Sequence, residues 1–274
     1  MADSLGRPRS AGWQLSVAAL LISLFIAVPL YVIAVAAFSP RAVLTGFPKP
    51  LVPTAVSAET MQAFLATRGV LPSMLNSLVV GSCTLALSLL LGAPAGYALA
   101  RFSFRGRDSL RLLVVVTRAF PVVVLAVPLT VTFIDWGLYD TLLAVVLVHT
   151  VLTLPTTVLM TASIFVGLPP ELEEAALTMG CTRLGAFARV ALPLALPGLA
   201  AASIFSFVLS WNEVFAAAVL TVQNRTLPAQ VLASLGDSPL PYRFAGGFAL
   251  IVPAVVFIFF ARRYLFDLWG VTSR

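Results

Sequence analysis

The sequence predicts an all-α polytopic membrane protein with six transmembrane helices, and two observations support this fold class. First, 60% of the 274 residues are hydrophobic, only 10% are charged, and the mean hydropathy is +1.02. Soluble domains carry roughly 25% charged residues. Second, the chain contains six apolar stretches, each long enough to cross a hydrocarbon core of about 30 Å. They are predicted at residues 13–38, 76–100, 112–134, 142–166, 194–220 and 244–264.

The first apolar stretch has a competing interpretation as a signal peptide, since Ala34-Val35-Ala36 is similar to a cleavage site. The stretch is longer than the roughly 7–15 apolar residues of a signal peptide. We therefore predict an uncleaved first span. Residues 39–73 are rich in proline and predict an external loop, with a short helix near residues 59–67.

The second span contains Gly81, Ser82, Gly92, Ala93 and Gly96, small residues that allow close packing of helices. The third and fourth spans contain Pro121, Pro128 and Pro155, and proline can kink a helix because it removes a backbone hydrogen bond.

The distribution of basic residues predicts the orientation of the chain. Six spans place both termini on one side of the membrane, and that side carries eleven basic residues against five on the other. By the positive-inside rule, both termini and the loop between the fourth and fifth spans are cytoplasmic. The net charge of +6 is explained by these loops, so no nucleic-acid partner is predicted.

The cytoplasmic loop between the fourth and fifth spans is the longest charged segment between apolar runs. Pro169-Pro170 suits the first turn of a helix, and Glu171, Glu173 and Glu174 complement the positive end of its dipole. The apolar stripe of this helix is predicted from helical spacing to be Leu172, Ala175, Ala176 and Met179. Gly180 is predicted to end the helix, Thr182 to cap a second short helix, and Pro193 to end that one.

The spacing of Glu174-Ala175-Ala176, Gly180 and Leu192-Pro193 resembles the EAA loop of binding-protein-dependent ABC importer permeases, most closely the sugar-importer branch of the second maltose permease. The resemblance covers about residues 76–264. It implies the type I importer permease fold, in which residues 170–190 form a coupling helix against an ATPase subunit. Glu174 would pair with a basic group of that subunit; Glu173 and Arg183 lie beside it, and the sequence does not rank the two glutamates.

The same resemblance implies the partners and the location of the chain. These are a homologous second permease, two ATPase subunits, an extracytoplasmic sugar-binding protein and the lipid of a bacterial inner membrane. ATP and Mg²⁺ would be bound by the ATPase, since this chain has no glycine-rich phosphate loop. A disaccharide such as trehalose or maltose is the favoured cargo, with polyol derivatives left open. The implied organisation is an N-terminal segment (1–74), a permease core (75–266) and a cytoplasmic tail (267–274) that lacks the family's usual ending.

Ionisable groups inside the spans are candidates for the substrate path because their burial is costly. Arg118 lies about seven residues into the third span and is unusual for the family; it either reaches the inner interface or lines the path. His149 and Glu213 are predicted at similar depth, so they either meet across helices or face one cavity. Trp211 and Asn212, beside Glu213, offer a stacking face and an amide to a sugar.

Other classes are disfavoured. An ion-coupled secondary transporter is the main alternative, but Glu213 is the one clear acid within a span and no internal repeat is found. No hydrolase or metalloprotease motif is present, so an enzyme is not predicted. Cys83 and Cys181 fall at different depths, which predicts neither a disulfide nor a metal site.

Overall fold

The computed structural model describes residues 9–46, 52, 55–235 and 238–268. These residues contain helices and no strand. The helices are α1 (Arg9–Ala37), α2 (Arg41–Thr45), α3 (Glu59–Ala66), α4 (Val70–Arg101), α5 (Arg107–Thr117), α6 (Val122–Asp135), α7 (Leu142–Val166), α8 (Glu171–Thr178), α9 (Arg183–Ala186), a π-helical turn (Phe187–Ala191), α10 (Leu192–Asn212), α11 (Phe215–Leu220), α12 (Leu227–Leu235) and α13 (Leu240–Leu268). The tail predicted at 267–274 lies mostly outside the described residues.

The described residues contain five candidate membrane spans and a sixth candidate that is broken. Five helical segments are long and apolar enough to cross a membrane: Trp13–Ala37, Val70–Arg101, Leu142–Val166, Arg183–Asn212 and Leu240–Phe260. The sixth span is the pair α5 and α6, whose axes differ by 89°. The prediction of one continuous third span is therefore wrong. The break falls at Arg118–Pro121, where proline brings no N–H and restricts the residue before it.

The fifth span differs from its prediction at both ends. Pro193 does not end a helix, because α9 continues through the π-helical turn into α10. In that turn the N–H of Leu192 bonds to the carbonyl of Phe187, five residues back as in a π-helix. At the other end the helix stops at Asn212 and resumes at Phe215, so the predicted span to residue 220 is interrupted.

The described residues form two compact units. The first comprises residues 9–67 and 238–249. In it, the rings of Phe38 and Phe248 meet edge to face at 5.1 Å, as do those of Phe64 and Tyr242. The short helix expected near residues 59–67 is α3 in this unit.

The second unit, residues 68–235 and 250–268, is built around α4, α7 and α10. Gly92 and Gly96 let α4 approach α7 closely: a Cβ at Gly96 would lie 2.7 Å from the backbone nitrogen of Ala162. A Cβ at Gly81 would lie 2.9 Å from the ring of Phe207 on α10. The predicted small-residue packing of the second span is thus confirmed, since the glycines face the two helices that it packs against.

A network around Asp140 joins the turn after α6 to the loop after α11. Asp140 adopts a positive φ of 57°, which aspartate tolerates better than most residues. Its Oδ1 accepts hydrogen bonds from the backbone N–H groups of Val222, Gln223 and Asn224 at 2.9–3.0 Å. Burial raises the pKa of the Asp140 carboxyl, but the three N–H donors lower it more, so its pKa lies below the usual value.

Candidate functional site

The Glu-Ala-Ala loop folds as a helix, a turn and a second helix. Helix α8 has Glu171, Glu173 and Glu174 in its first turn. Gly180 follows with φ of 91°, a conformation that glycine adopts without strain. The Thr182 hydroxyl then accepts a hydrogen bond of 3.1 Å from the N–H of Gly185 and caps α9. The predicted glycine turn and threonine cap are confirmed.

The buried face of α8 is not the predicted apolar stripe. Glu173 and Ala176 are its buried residues, whereas Leu172 is 46% exposed and Met179 is 80% exposed. Leu172 and Met179 of the stripe therefore point away from the rest of the chain, whereas Ala176 of the stripe shares the packed face with a carboxylate. Helical spacing could not predict this, because the partner that accepts Glu173 lies on another helix.

Glu173 is held by the C-terminal end of α4. Its Oε2 accepts a hydrogen bond of 2.6 Å from the Tyr97 hydroxyl, and its Oε1 accepts one of 2.8 Å from Arg101 Nε. A second nitrogen of Arg101, Nη2, donates to the carbonyl of Leu168 at 2.8 Å. Both charged side chains are largely buried, so this is a shielded ion pair with its hydrogen-bonding groups satisfied. We call Tyr97, Arg101 and Glu173 the loop anchor.

Aromatic rings surround the loop anchor. The Tyr97 ring contacts Phe102 at 5.9 Å, Phe165 at 5.3 Å and Phe187 at 4.6 Å between centroids. The guanidinium of Arg183 lies 5.5 Å from the centroid of Phe102, within the range of a cation–π contact. These contacts fix the anchor between α4, α7 and the π-helical turn.

Glu174 has a different environment from Glu173. It is exposed, as are Ala175, Gly180 and Arg183. Glu174 and Arg183 also line a cleft of about 280 Å³ beside the loop anchor. The structure therefore separates the two glutamates, with Glu173 bound inside the chain and Glu174 open to a partner.

The structure brings His149 and Glu213 together within the membrane-spanning part. His149 Nε2 lies 3.9 Å from Glu213 Oε2, and His149 Nδ1 is hydrogen-bonded to Ser210 Oγ at 2.9 Å. Glu213 occupies the break between α10 and α11. Its carboxylate accepts from the N–H groups of Phe215 and Ala216 at 3.1–3.2 Å and so caps α11. The expected meeting of the two groups across helices agrees with this geometry.

The predicted sugar-facing residues beside Glu213 are placed differently. Trp211 is only 2% exposed; its ring stacks on Phe207, and its Nε1 donates to the carbonyl of Leu250 at 2.9 Å. This side chain packs helices together and offers no free ring face to a sugar. Asn212 is exposed.

A buried line of polar side chains on α7, one histidine and three threonines, was not predicted from the sequence. His149, Thr153, Thr157 and Thr161 recur every four residues and are each at most 2% exposed. Thr153 is hydrogen-bonded to Ser88 of α4 at 2.7 Å and Thr157 to Ser206 of α10 at 2.9 Å, while Thr161 donates to the carbonyl of Gly92 at 2.8 Å. The spacing of four is visible in the sequence and was the available signal.

Arg118 lies at the end of α5, where the third span breaks. It follows the 11-residue helix α5, hence about 16 Å from its start at 1.5 Å per residue. Helix α5 begins before the predicted start of the span at residue 112. Arg107 and Arg111, in the first turns of α5, both donate to the carbonyl of Leu99, and these hydrogen bonds accommodate the two charged residues. Arg118 lines a cleft next to Val151–Val158, the middle of α7.

Comparison with known proteins identifies the family. The family of binding-protein-dependent transport system inner membrane components matches residues 88–266. The sulfoquinovosyl glycerol transport system permease SmoH of Agrobacterium fabrum is 36% identical over 68% of this chain and 66% of that protein. The trehalose transport system permease SugB of Mycobacterium tuberculosis is 30% identical over 81% of this chain and 83% of that protein.

A solved structure shares the fold over nearly the whole chain. It is a chain of a bacterial ABC transporter involved in the import of the acidic polysaccharide alginate, with 21% identity and a TM-score of 0.71 over 99% of this chain and 100% of that one. The protein therefore belongs to the family of inner membrane components of binding-protein-dependent transport systems. It is a transport subunit with the ABC importer permease fold, and the predicted family and fold class are confirmed.

Proposed function

We propose that this chain forms half of the translocation path of an ATP-driven sugar importer and that residues 170–190 couple it to an ATPase subunit. The observation that supports this role is the different environment of two adjacent glutamates. Glu173 ties α8 to α4, and Glu174 stands exposed at a cleft on the same helix. Helix α8 is bound to α4 through one glutamate and carries an exposed carboxylate on the next residue, so it can transmit a movement of a partner subunit to the membrane helices.

The exposed apolar residues of the loop support the same role. Leu172, Met179 and Leu184 are 46%, 80% and 75% exposed, on a segment that also carries exposed charges. A mixed surface of this kind is typical of a protein interface, in which apolar contacts bury area and the charged groups give specificity. In the assembly, Glu174 would meet a basic group of the ATPase, which binds ATP and Mg²⁺.

The proposal that the cargo is a sugar rests on similar proteins, which are named for transport of sulfoquinovosyl glycerol, trehalose and alginate. Trehalose is thus one named cargo among several. The assembly that we propose contains this chain, a homologous second permease, two ATPase subunits and an external binding protein. Both termini and the Glu-Ala-Ala loop face the cytoplasm, in agreement with the excess of basic residues on that side.

The test is co-purification of this chain with its second permease and ATPase, combined with ATPase assays with and without sugar-loaded binding protein. Glu174→Ala is expected to reduce stimulation of the ATPase by about tenfold or more, because a desolvated ion pair across an interface is worth a few kcal/mol. Gly180→Ala is expected to weaken coupling as well, since a left-handed backbone costs a non-glycine residue about 1–2 kcal/mol.

Two controls make this test specific. Glu171→Ala removes an exposed carboxylate from the same first turn, at a position that does not line the cleft. Gly180→Asn keeps a residue that tolerates the left-handed conformation. Both are expected to behave like the wild type. Wild-type stimulation of the ATPase in the Glu174→Ala variant would show that Glu174 does not contact the ATPase. Equal losses of stimulation in Glu171→Ala and Glu174→Ala would show the same.

A further inference from the structure

The break in the third span leaves a charged side chain exposed beside the middle of α7. Residues Arg118 to Pro121 leave the helix there, and Arg118, Phe120 and Pro121 are exposed. The backbone of the break is itself paired, since the N–H groups of residues 118–120 each donate to the carbonyl three residues back. Because a charge within a membrane span is costly against lipid and usually faces a water-filled cavity or other protein, Arg118 points to the translocation path or another subunit.

The cleft at this break has the size and chemistry of a binding site for a small ligand. Its volume is about 410 Å³, within the roughly 300–1,000 Å³ of small-molecule sites. Arg118 is the one ionisable residue of its lining, Thr117 and Thr156 add hydroxyl groups, and Phe120 presents a ring that is 61% exposed. Aliphatic side chains form most of the remaining wall.

Arg118 has no counter-charge among the described residues. It takes part in none of the ion pairs found there and makes no side-chain hydrogen bond to another described residue. Three other ionisable side chains of the neighbouring helices have hydrogen-bond partners: His149 bonds to Ser210, Glu213 accepts from the N–H groups of α11, and Arg111 donates to the carbonyl of Leu99. An arginine kept unpaired at mid-membrane depth is costly and points to a function.

We propose that this cleft binds an anionic sugar and that the importer carries uronate-type, carboxylate-bearing saccharides. The guanidinium of Arg118 would hold the carboxylate through two parallel hydrogen bonds, a geometry that the planar fork of arginine favours. The ring of Phe120 would pack on the apolar face of the sugar, and the two threonines would meet its hydroxyls. This inference rests on the proposed importer function and deepens it by naming the class of substrate.

The experiment measures uptake by the full assembly, with its binding protein, reconstituted in proteoliposomes with ATP inside. The probes are a defined pool of neutral disaccharides, each paired with the same disaccharide carrying a C6 carboxylate, and mass spectrometry counts what enters. The wild type is expected to take up the uronate members in preference. Arg118→Gln is expected to lower their uptake at least about tenfold, as for loss of a charge-assisted bidentate contact, and Arg118→Lys to retain part of it.

Arg105→Gln is the matched control, since it removes a positive charge from the exposed turn before α5 and should leave the preference unchanged. Preference of the wild type for neutral sugars would overturn the inference while the importer stands. Equal losses of both sugar classes in Arg118→Gln would also overturn it. A third outcome would overturn the inference: Arg118→Gln fails to assemble with the second permease, whereas Arg118→Lys assembles. Arg118 would then pair with an acidic residue of that subunit. Absence of any sugar uptake and of ATPase stimulation in the wild type would remove the importer proposal itself, and the inference with it.

Discussion

The Tyr97 hydroxyl donates a hydrogen bond of 2.6 Å to Glu173, and so joins the C-terminal end of α4 to a loop 76 residues further along the chain. Arg101 reaches the same carboxylate one helical turn later. A movement of α8 therefore acts on α4 through a pair of short, buried contacts.

Tyr97→Phe removes one of these contacts and keeps the ring in its aromatic surroundings. Because hydrogen bonds to charged groups contribute about 1.5–3 kcal/mol, we expect a lower thermal stability of the purified assembly and weaker stimulation of its ATPase by loaded binding protein. Tyr139→Phe, on the outer turn after α6, is the control. Unchanged stimulation in Tyr97→Phe would show that the loop anchor does not carry coupling.

Gly96→Ala is expected to disrupt the packing of α4 on α7. The added Cβ would meet Thr161 and would lie 2.7 Å from the backbone nitrogen of Ala162, which cannot move aside as a flexible side chain can. Overpacking of this kind costs about 1–3 kcal/mol, so the variant should show reduced yield and a lower melting temperature. In Gly247→Ala the new Cβ would meet Ile33 Cγ2 at 3.8 Å, an ordinary contact, and this control should be as stable as the wild type. A Gly96→Ala protein of wild-type stability would contradict the close approach.

The hydroxyl line on α7 can be tested with a double-mutant cycle on Thr157 and Ser206. These residues share a hydrogen bond of 2.9 Å between α7 and α10. Thr157→Val and Ser206→Ala each remove it, and their combination should cost less than the sum, with a coupling energy near the 0.6 kcal/mol average measured in membrane helices. Denaturation in mixed micelles measures the energies. Strict additivity would mean that the contact adds nothing to stability.

The Asp140 network predicts a pH dependence confined to acid. Because the folded state holds the pKa of Asp140 below its usual value of 3.8, the carboxylate contributes stability that is fully present above about pH 4. That contribution is lost as the pH falls through the lower, folded pKa. Hydrogen exchange of the amides of residues 222–224, corrected for the intrinsic rate, should show protection at pH 6 that declines below pH 4. Asp140→Asn, which keeps an acceptor but no charge, should remove this decline. The same decline in wild type and variant would assign it to another group.

The membrane-spanning segments were predictable wherever one local signal decided them. Residues 142–166 were predicted with the observed bounds, because no Asp, Glu, Lys or Arg lies between Asp140 and Glu171. Gly180 and Thr182 were also correctly interpreted, since a left-handed turn and an N-cap depend on the residue itself. Pro193 was misjudged because a proline within the first turn of a new helix costs little, and the preceding π-helical turn provides such a start.

The features that needed tertiary contacts were not predictable from one sequence. The resemblance assigned the ATPase contact to Glu174 and left Glu173 as a residue that could share it, and it is the position of Tyr97 and Arg101 that separates them. The threonines of α7 were passed over because hydroxyls in an apolar run are inexpensive when they bond to their own helix. Their second partners, on α4 and α10, appear only once the helices are assembled.

The π-helical turn at Phe187–Ala191 has a consequence for the angular phase of the fifth span. Since each α-helical residue advances the direction of its side chain by about 100°, one wide turn shifts every residue after it relative to those before it. Deleting a single residue within 187–191 would convert the wide turn into ordinary α-helix and rotate α8 and α9 about the axis of α10. The Glu-Ala-Ala surface would then face a different direction relative to α10, with the sequence of that surface unchanged. The direction in which the loop faces thus depends on the number of residues in the π-helical turn as well as on their chemistry.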